Sequence, residues 1–417
     1  MRPPRVLFLI ENVSFLRDRR VRQEAAALRD AGIEVSVVCP RIKGEPPLPE
    51  SRDGVRIYSY FQPWQGRGVA SYCLEYFWAL LCTFWMLLLL WVRPGFDVLH
   101  AANPPDLFFL LALPFKLLGS KYVYDQHDLC PEIFDVKFGR RAGLVRQLLI
   151  LCERCSYRLA DLIIVPNQSF RRVGMTRGRQ QKEKFVTVRN GPDLSRFHGV
   201  PPQPGLKCGA QFLALYVGMM SEQDGVDRLV RSVSHIVHAR GRRDVHFSLL
   251  GAGECLPALK RLAEELAVLP YISFRGYVGD RELLVYLSTA DVGLAPDPPS
   301  PLNHLCTTIK VMEYMSCGRP IVSFDLLETR VSAGLAALYV SEDSPALFGD
   351  TILRLLDDAA LCQRMGEYGR ERVRRMLHWG RSRQHLLSAY ARLLPWPKLI
   401  SAMPEGERET MLPSRAA

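Results

Sequence analysis

The sequence predicts an α/β protein made of two doubly wound domains, each with a largely parallel sheet. Short apolar runs of strand length alternate with helical stretches along most of the chain, which is typical of βαβ units. A break rich in Gly and Pro at residues 189–205 divides this alternation into two series. The length of 417 residues, 48% of them hydrophobic, is enough for two hydrophobic cores.

The first series begins with an apolar strand at residues 5–11, an Ala-rich helix at 19–31 and a second strand at 34–39. A strand, a helix and a strand in this spacing form a βαβ unit, which requires a parallel sheet. Each further strand of the first series follows a helical stretch; the predicted strands are residues 97–100, 121–124, 162–166 and 184–188. The first half is therefore expected to be doubly wound.

The second series has the same alternation, with predicted strands at residues 212–217, 246–250, 272–274, 292–294 and 321–324. We predict four parts: a first domain (1–195), a second domain (196–378), a helix that crosses back to the first domain (379–394) and a flexible tail (395–417). The two sheets are expected to face a central cleft, because ligands of open α/β sheets bind at the carboxyl ends of the strands.

The net charge of +11 belongs almost entirely to the first half. Residues 1–200 carry 29 Lys and Arg against 19 Asp and Glu, whereas residues 201–417 carry 25 against 24. This imbalance favours an anionic partner such as a membrane surface or a phosphorylated substrate. Nucleic acid is not favoured, because the arginines crowd one helix start without aromatic stacking partners. Eleven cysteines without repeated spacing indicate a reducing compartment rather than a disulfide framework.

An apolar run at residues 72–92 carries one charge, Glu75, and six aromatic residues after Tyr72. Its length matches a bilayer span, but a single crossing would divide the first sheet between two sides of a membrane. We therefore predict a helix that lies in the membrane interface; a buried core helix and a true span are the alternatives. No signal peptide precedes the first strand, so we expect a cytoplasmic protein, peripheral on the inner face of the cell membrane.

Several sequence motifs are absent. No G-x-G-x-x-G follows the first strand, and the chain contains no P-loop, no H-E-x-x-H and no paired C-x-x-C. Neither a cofactor nor a metal site is predicted. If a diphosphate binds, helix N-termini, backbone amides and cations must hold it.

Candidate groups for such a site lie in the second half. Gly218 closes one predicted strand, and Gly251 and Gly253 follow the next. The segment 295–322 then leads from a proline-rich loop into a helix; its candidate residues are Asp297, Thr307, Thr308, Lys310 and Glu313. Threonine hydroxyls and amides at a helix start suit phosphate oxygens, Lys310 adds a charge, and a carboxylate such as Glu313 can accept hydrogen bonds from ribose hydroxyls.

Several stretches together resemble the bacterial glycosyltransferase family 4, which has the GT-B fold, from about residue 5 to residue 394. They are RRVRQEAAALRDAGIEVSVVCP, HAANPPDLFFLLAL, YDQHDLCPE, VRNGPDLSRF, YVGMMSEQDGVDRLV, STADVGLAPDPPSPLNH and KVMEYMSCGRPIVSFDLLETRVSAG. The resemblance implies two Rossmann-like domains. It also implies transfer of a sugar from a nucleotide donor, with retention of the anomeric configuration and without a metal.

By this resemblance, Glu313 matches the second acid of the family's E-x7-E motif and binds the donor ribose, while Leu305 stands in place of the first acid. Met219 and Asp224 stand near the usual Arg and Lys of the diphosphate clamp, so Thr307, Thr308 and Lys310 are the expected substitutes. The other residues that the resemblance assigns are His127 at the transferred sugar, Arg275, Tyr277 and Val278 at the base, and, on the acceptor side, Asn103, Asp106, Asp128 and Glu132. Of these, His127 and Lys310 are the predicted catalytic residues.

The apolar run and the basic first half fit an acceptor carried on a polyprenyl diphosphate, as in surface polysaccharide synthesis. Two alternatives with the same fold remain at this point. One is a nucleotide-sugar 2-epimerase, which would not need the apolar run. The other is a catalytically weakened membrane-bound scaffold, which would be consistent with the absence of the usual clamp residues.

Overall fold

A computed structural model describes residues 2–401 except 43–46, 65, 67, 94 and 140–142. The chain forms two compact units. The first, called here the first domain, contains the residues up to Arg189 and those from Ser382 onward; the second domain is Asn190–Arg381. The boundary thus lies six residues before the one expected from the sequence.

The first domain has an eight-stranded sheet in the order β3-β4-β2-β1-β5-β6-β7-β8, parallel except for the pair β3 and β4. Its strands are β1 Arg5–Leu9, β2 Glu34–Ile42, β3 Ser51–Arg52, β4 Val55–Gln62, β5 Val98–Ala102, β6 Lys121–Asp125, β7 Leu162–Val165 and β8 Phe185–Thr187. Its first six helices are α1 Arg19–Asp30, α2 Val69–Val92, α3 Phe108–Leu117, α4 Cys130–Phe138, α5 Gly143–Leu159 and α6 Gln168–Thr176. The central strands are buried along their whole length, as expected of a parallel sheet covered on both faces.

The second domain has a six-stranded parallel sheet in the order β11-β10-β9-β12-β13-β14. Its strands are β9 Phe212–Val217, β10 Val245–Leu250, β11 Ile272–Gly276, β12 Val292–Ala295, β13 Ile321–Phe324 and β14 Ala337–Val340. The helices are α7 Val226–Ser234, α8 Leu256–Glu265, α9 Asp280–Thr289, α10 Ile309–Ser316, α11 Leu327–Ala333, α12 Pro345–Leu356 and α13 Ala359–Arg372. The sequence prediction missed β14 here, and β3 and β4 in the first domain.

The last two helices of the described residues are α14 Trp379–Leu393 and α15 Pro397–Ser401. The tail predicted from residue 395 therefore starts with a short helix, and its Leu399 is fully buried. Burial of this apolar side chain stabilises the short helix. The local sequence does not reveal that burial, so the helix was not predicted. The rest of the predicted tail lies outside the described residues.

The apolar run folds as α2, a helix of 24 residues that packs against β4, β2 and α3. By length and composition, residues 70–92 are sufficient to cross a membrane, and core helices of soluble proteins also meet this criterion. Only 22% of the apolar window is buried, so α2 differs from a core helix in its exposure.

Candidate active site

His127 lies in the loop between β6 and α4, and Asn103, which follows β5, fixes that loop. The Asn103 side-chain oxygen accepts hydrogen bonds from the backbone N–H groups of His127 (2.6 Å) and Asp128 (3.1 Å). The Asn103 side-chain amide donates to Asp106 and to the Asp128 carbonyl, both at 2.8 Å. Because β5 and β6 are adjacent parallel strands, their carboxyl ends bring these segments to the same edge of the sheet.

Asp125, the last residue of β6, holds the imidazole of His127. Its buried carboxylate accepts two hydrogen bonds from Arg20, at 2.7 and 3.1 Å, and lies 2.6 Å from His127 Nε2. Burial opposes ionisation of Asp125, but Arg20 and His127 outweigh it and hold its pKa well below the usual value. Burial also disfavours the imidazolium of His127, yet Asp125 favours it more strongly and raises the pKa of His127. A carboxylate can only accept, so Nε2 is the donor and Nδ1 remains to meet a substrate.

A second layer of buried groups lies behind Asp125. Arg20 Nη2 is 3.2 Å from Glu24, and burial raises the pKa of Glu24 well above its ordinary value. His100 on β5 lies 3.4 Å from Glu24, and its Nδ1 is 2.7 Å from the hydroxyl of Tyr390 on α14. Burial lowers the pKa of His100, which favours the neutral imidazole. The returning helix α14 thereby contributes to the packing behind the candidate catalytic histidine.

Among the described residues, Glu24, His100 and Asp125 form the one group whose ligand atoms are close enough for a metal ion, within 4.8 Å of one another. The guanidinium of Arg20 already pairs with both carboxylates. A metal would have to displace that cation, so the side chains present fit an arginine better than a metal ion.

The four residues predicted on the acceptor side lie in two different environments. Asn103, Asp106 and Asp128 lie together beside His127, where Asp106 also accepts a hydrogen bond of 2.5 Å from Tyr124 and burial raises its pKa. Glu132, in the first turn of α4, instead accepts two hydrogen bonds from Arg177, at 2.6 and 3.1 Å. Asn103 and Asp106 are therefore engaged in holding the loop, and an acceptor role for all four residues stays a prediction.

In the second domain, the three predicted glycines form a close crossing of two backbone segments at the carboxyl edge of the sheet. A Cβ at Gly251 would lie 1.8 Å from the Gly218 carbonyl oxygen, and one at Gly253 would lie 2.4 Å from the Met220 carbonyl oxygen. Gly251 also has a φ of +134°, which side chains rarely allow. The amides of Gly218, Met220 and Gly251 already donate to backbone carbonyls. These glycines therefore shape the edge, and the amides of Gly218 and Gly251 are not available to a phosphate.

Lys310 was predicted to supply the positive charge that binds the diphosphate. It is 7% exposed and lies in an ion pair with Asp297. Its Nζ donates to both Asp297 oxygens at 2.9 Å and lies 4.8 Å from the centre of the Tyr216 ring. Both residues are predicted donor-site residues, and the structure brings them together. A phosphate at this place would share the ammonium with Asp297, which the sequence prediction did not include.

Helix α10 begins beside this ion pair. Thr308 is its N-cap residue, yet the Thr308 hydroxyl makes no capping hydrogen bond and no other hydrogen bond among the described residues. Thr307 donates to the buried Glu328 at 3.4 Å. Glu313 is one turn into α10 and 4% exposed. The first amides of a helix have no partner within it, so this start can accept an anion.

The residues predicted to read the base are at the end of β11. Tyr277 is 88% exposed, Val278 is half-buried, and the exposed Arg275 lines a groove with Arg281 and Tyr286. An aromatic ring this exposed is free to stack on a flat ligand. The structure is compatible with base recognition at this place.

The sequence prediction missed Arg20 and Asn303, which contact segments of the two candidate sites, and the buried acid Glu11. Arg20 is one of several arginines at the start of α1. Only its hydrogen bonds to Asp125, at the end of β6, distinguish it from the others. Asn303 ties the loop after β12 to the loop after β9, since its amide donates to the carbonyls of Pro298 and Gln223 at 2.9 Å. Glu11 lies two residues after the end of β1, and burial raises its pKa to about 8. An acid at the carboxyl end of a buried strand was the signal available for Glu11.

Comparison with known proteins identifies the family. Residues 18–191 match the model of a glycosyl transferase 4-like domain, and residues 211–358 match the model of glycosyl transferases group 1. Together the two matches cover more than three quarters of the chain. The chain therefore belongs to glycosyltransferase family 4.

Individual relatives are distant. TuaH of Bacillus subtilis (strain 168), named for teichuronic acid biosynthesis, is 23% identical over 273 residues, which are 63% of this chain and 64% of TuaH. The chain thus spans less than two thirds of that relative's length.

Solved structures confirm the GT-B fold. Sucrose-phosphate synthase from Thermosynechococcus elongatus has a TM-score of 0.78 at 18% identity, covering 94% of this chain and 99% of that chain. HepE of Anabaena, in complex with UDP-glucose, has a TM-score of 0.70 at 13% identity, with 93% and 99% coverage. At these identities the likeness concerns the fold alone.

Proposed function

We propose that this protein is a retaining glycosyltransferase that moves a sugar from a nucleoside-diphosphate sugar to an acceptor linked to a membrane lipid, in the synthesis of a bacterial surface polysaccharide. The observation that carries the proposal is the carboxyl edge of the second sheet, where the glycine crossing, the Lys310–Asp297 pair and the start of α10 converge. This edge offers a shaped surface, one cation and helix amides to a diphosphate. That HepE is solved with UDP-glucose supports a nucleotide-sugar donor.

His127 is the group proposed to act on the transferred sugar. Asp125 fixes its ring through Nε2 and raises its pKa, so Nδ1 can donate a hydrogen bond to a sugar hydroxyl. Glycosyl transfer develops positive charge on the sugar and negative charge on the departing diphosphate. In the proposed front-side reaction, the leaving phosphate accepts the proton of the acceptor hydroxyl, and the protein contributes positioning and electrostatic stabilisation.

The acceptor is proposed to be carried on a polyprenyl diphosphate in the cytoplasmic leaflet, with the protein peripheral on the inner face of the cell membrane. The largely exposed α2 and the basic first half of the chain support this location, since anionic lipids attract clustered Lys and Arg. The name of TuaH, which refers to teichuronic acid biosynthesis, supports a role in a cell-surface polymer.

The experiment incubates the purified protein and bacterial membranes with a panel of labelled nucleotide sugars and measures label in the lipid extract. We expect one donor to label lipid, and His127→Asn to lower the rate by about a hundredfold or more, the range for loss of one positioned hydrogen-bond donor that stabilises a transition state. His198→Asn is the matched control, because His198 is an exposed histidine of the second domain. Epimerised nucleotide sugar without labelled lipid would indicate an epimerase, and no donor consumption at all would contradict the proposal.

A further inference from the structure

Helices α2, α3 and α5 form one layer on a single face of the first sheet. The connections from β4 to β5, from β5 to β6 and from β6 to β7 all move in the same direction across the sheet. Right-handed crossovers in one direction place their helices on the same face. Accordingly, α2 contacts α3, and α3 contacts α5.

The outer side of this layer is largely apolar on all three helices, with Gln147 and Arg154 as exposed polar residues of α5. On each helix, large apolar side chains recur three or four residues apart, so they form a stripe on one side. These residues, named here the apolar face, are Leu74, Phe77, Leu81, Trp85, Leu88, Leu89 and Val92 on α2, Leu110, Leu113 and Leu117 on α3, and Leu144, Leu148 and Leu151 on α5; they are 37% to 84% exposed. Soluble monomers rarely expose so large a contiguous apolar patch.

The opposite side of α2 is packed on the sheet. Ala79, Thr83, Leu87 and Leu90 are buried, and they follow the same helical spacing on the side that faces β4 and β2. A helix that crossed a bilayer would have to leave this contact. The apolar face therefore contacts its partner along the length of α2, with the axis of α2 parallel to the contact surface.

Cations gather where the three helices end, at the edge at which the next strands begin. Arg93 follows α2, Lys121 begins β6 after α3, and Arg158 is in the last turn of α5; all three are exposed. The acids at this edge are already engaged, since Asp97 pairs with Arg2 and Asp161 with Lys116. An apolar surface with a basic rim is complementary to a bilayer that carries anionic headgroups.

We propose that the whole apolar face, and not α2 alone, is a membrane-docking surface that lies flat on an anionic bilayer. The proposal rests on the membrane association in the proposed function and extends it to α3 and α5. In the docked state, the leucines of α3 and α5 enter the headgroup and acyl boundary beside α2, and the basic rim contacts lipid phosphates.

Liposome flotation tests the proposal with vesicles of phosphatidylcholine, with and without phosphatidylglycerol. The variant Leu113→Ser/Leu117→Ser/Leu148→Ser leaves α2 intact and removes apolar area only from α3 and α5. We expect its affinity for anionic vesicles to fall at least about tenfold, because burial of each leucine is favourable. The matched control is Leu335→Ser, a 73% exposed leucine of the second domain, and the far-ultraviolet circular dichroism of all variants verifies folding.

Each of the remaining outcomes distinguishes the proposal from one alternative. If the variant floats like the wild type while Phe77→Ser/Trp85→Ser/Leu89→Ser does not, docking uses α2 alone and the proposal is wrong. If the wild type forms dimers that the leucine variant loses and neither binds vesicles, a second copy covers the face and the proposal is again wrong. Flotation that depends on α3 and α5 without sugar transfer would support the surface and contradict the proposed enzyme function.

Discussion

At the scale of single residues, Asp125 sets the charge of the candidate catalytic histidine. It neutralises Arg20, raises the pKa of His127 and leaves His127 Nδ1 for a substrate. In the second domain, Asp297 pairs with Lys310 in a similar way. In both domains, therefore, a buried carboxylate governs how much positive charge is available to a substrate.

We expect Glu313→Gln to weaken binding of the donor nucleotide without unfolding the second domain. A hydrogen bond to a charged acceptor is worth roughly 1.5–3 kcal/mol, so affinity should fall about ten- to a hundredfold. Calorimetry with a series of nucleoside diphosphates measures the effect. Glu265→Gln, at an exposed position of α8, is the control. Equal affinity of the Glu313 variant and the wild type would remove Glu313 from the donor site.

Glu11→Gln should change how stability depends on pH. Burial and the nearby Glu75 raise the pKa of Glu11 from 4.5 to about 8. Between pH 4.5 and about 8, the folded protein therefore holds a proton that the unfolded chain has lost. The stability that this proton contributes is complete below pH 4.5 and is lost as the pH rises to about 8. Its slope is at most about 1.4 kcal/mol per pH unit.

Glutamine does not ionise, so the Glu11→Gln variant does not lose this stability as the pH rises. Thermal unfolding measures the melting temperature of Glu11→Gln relative to that of the wild type. This difference should be more favourable to the variant at pH 8 than at pH 5. The same difference between variant and wild type at both pH values would mean that Glu11 is ionised in the folded protein.

At the scale of elements, the loops after β9 and β10 approach each other more closely than side chains would permit. We expect Gly251→Ala to disrupt this crossing, because the new Cβ would meet the Gly218 carbonyl at 1.8 Å. The cost should be about 1–3 kcal/mol of unfolding free energy, as for other overpacked sites, together with loss of nucleotide binding. Gly205→Ala has no atom within 4 Å of its new Cβ and is the control. Unchanged nucleotide affinity in Gly251→Ala would separate the crossing from the donor site.

At the scale of the whole molecule, transfer should not require a metal ion. Within the described part of the chain, the three-residue group that could ligate a metal is paired with Arg20 and lies in the first domain. Sugar transfer is therefore expected to proceed at an unchanged rate in EDTA. Loss of activity in EDTA with recovery in Mg²⁺ or Mn²⁺ would show that a metal, and not Lys310 with the start of α10, neutralises the diphosphate.

The sequence by itself determined the alternation of strands and helices, the division near residue 190, the family and the exposed apolar helix. These features follow from local patterns, because strand and helix periodicity record which side of each segment avoids water. Only the tertiary structure decided that Arg20 meets Asp125, that Lys310 pairs with Asp297 and that Tyr390 reaches His100. Only the strand order placed α2, α3 and α5 side by side. Periodicity cannot give such partners, because contacts between residues as many as 290 positions apart depend on how the strands and helices pack in the folded chain.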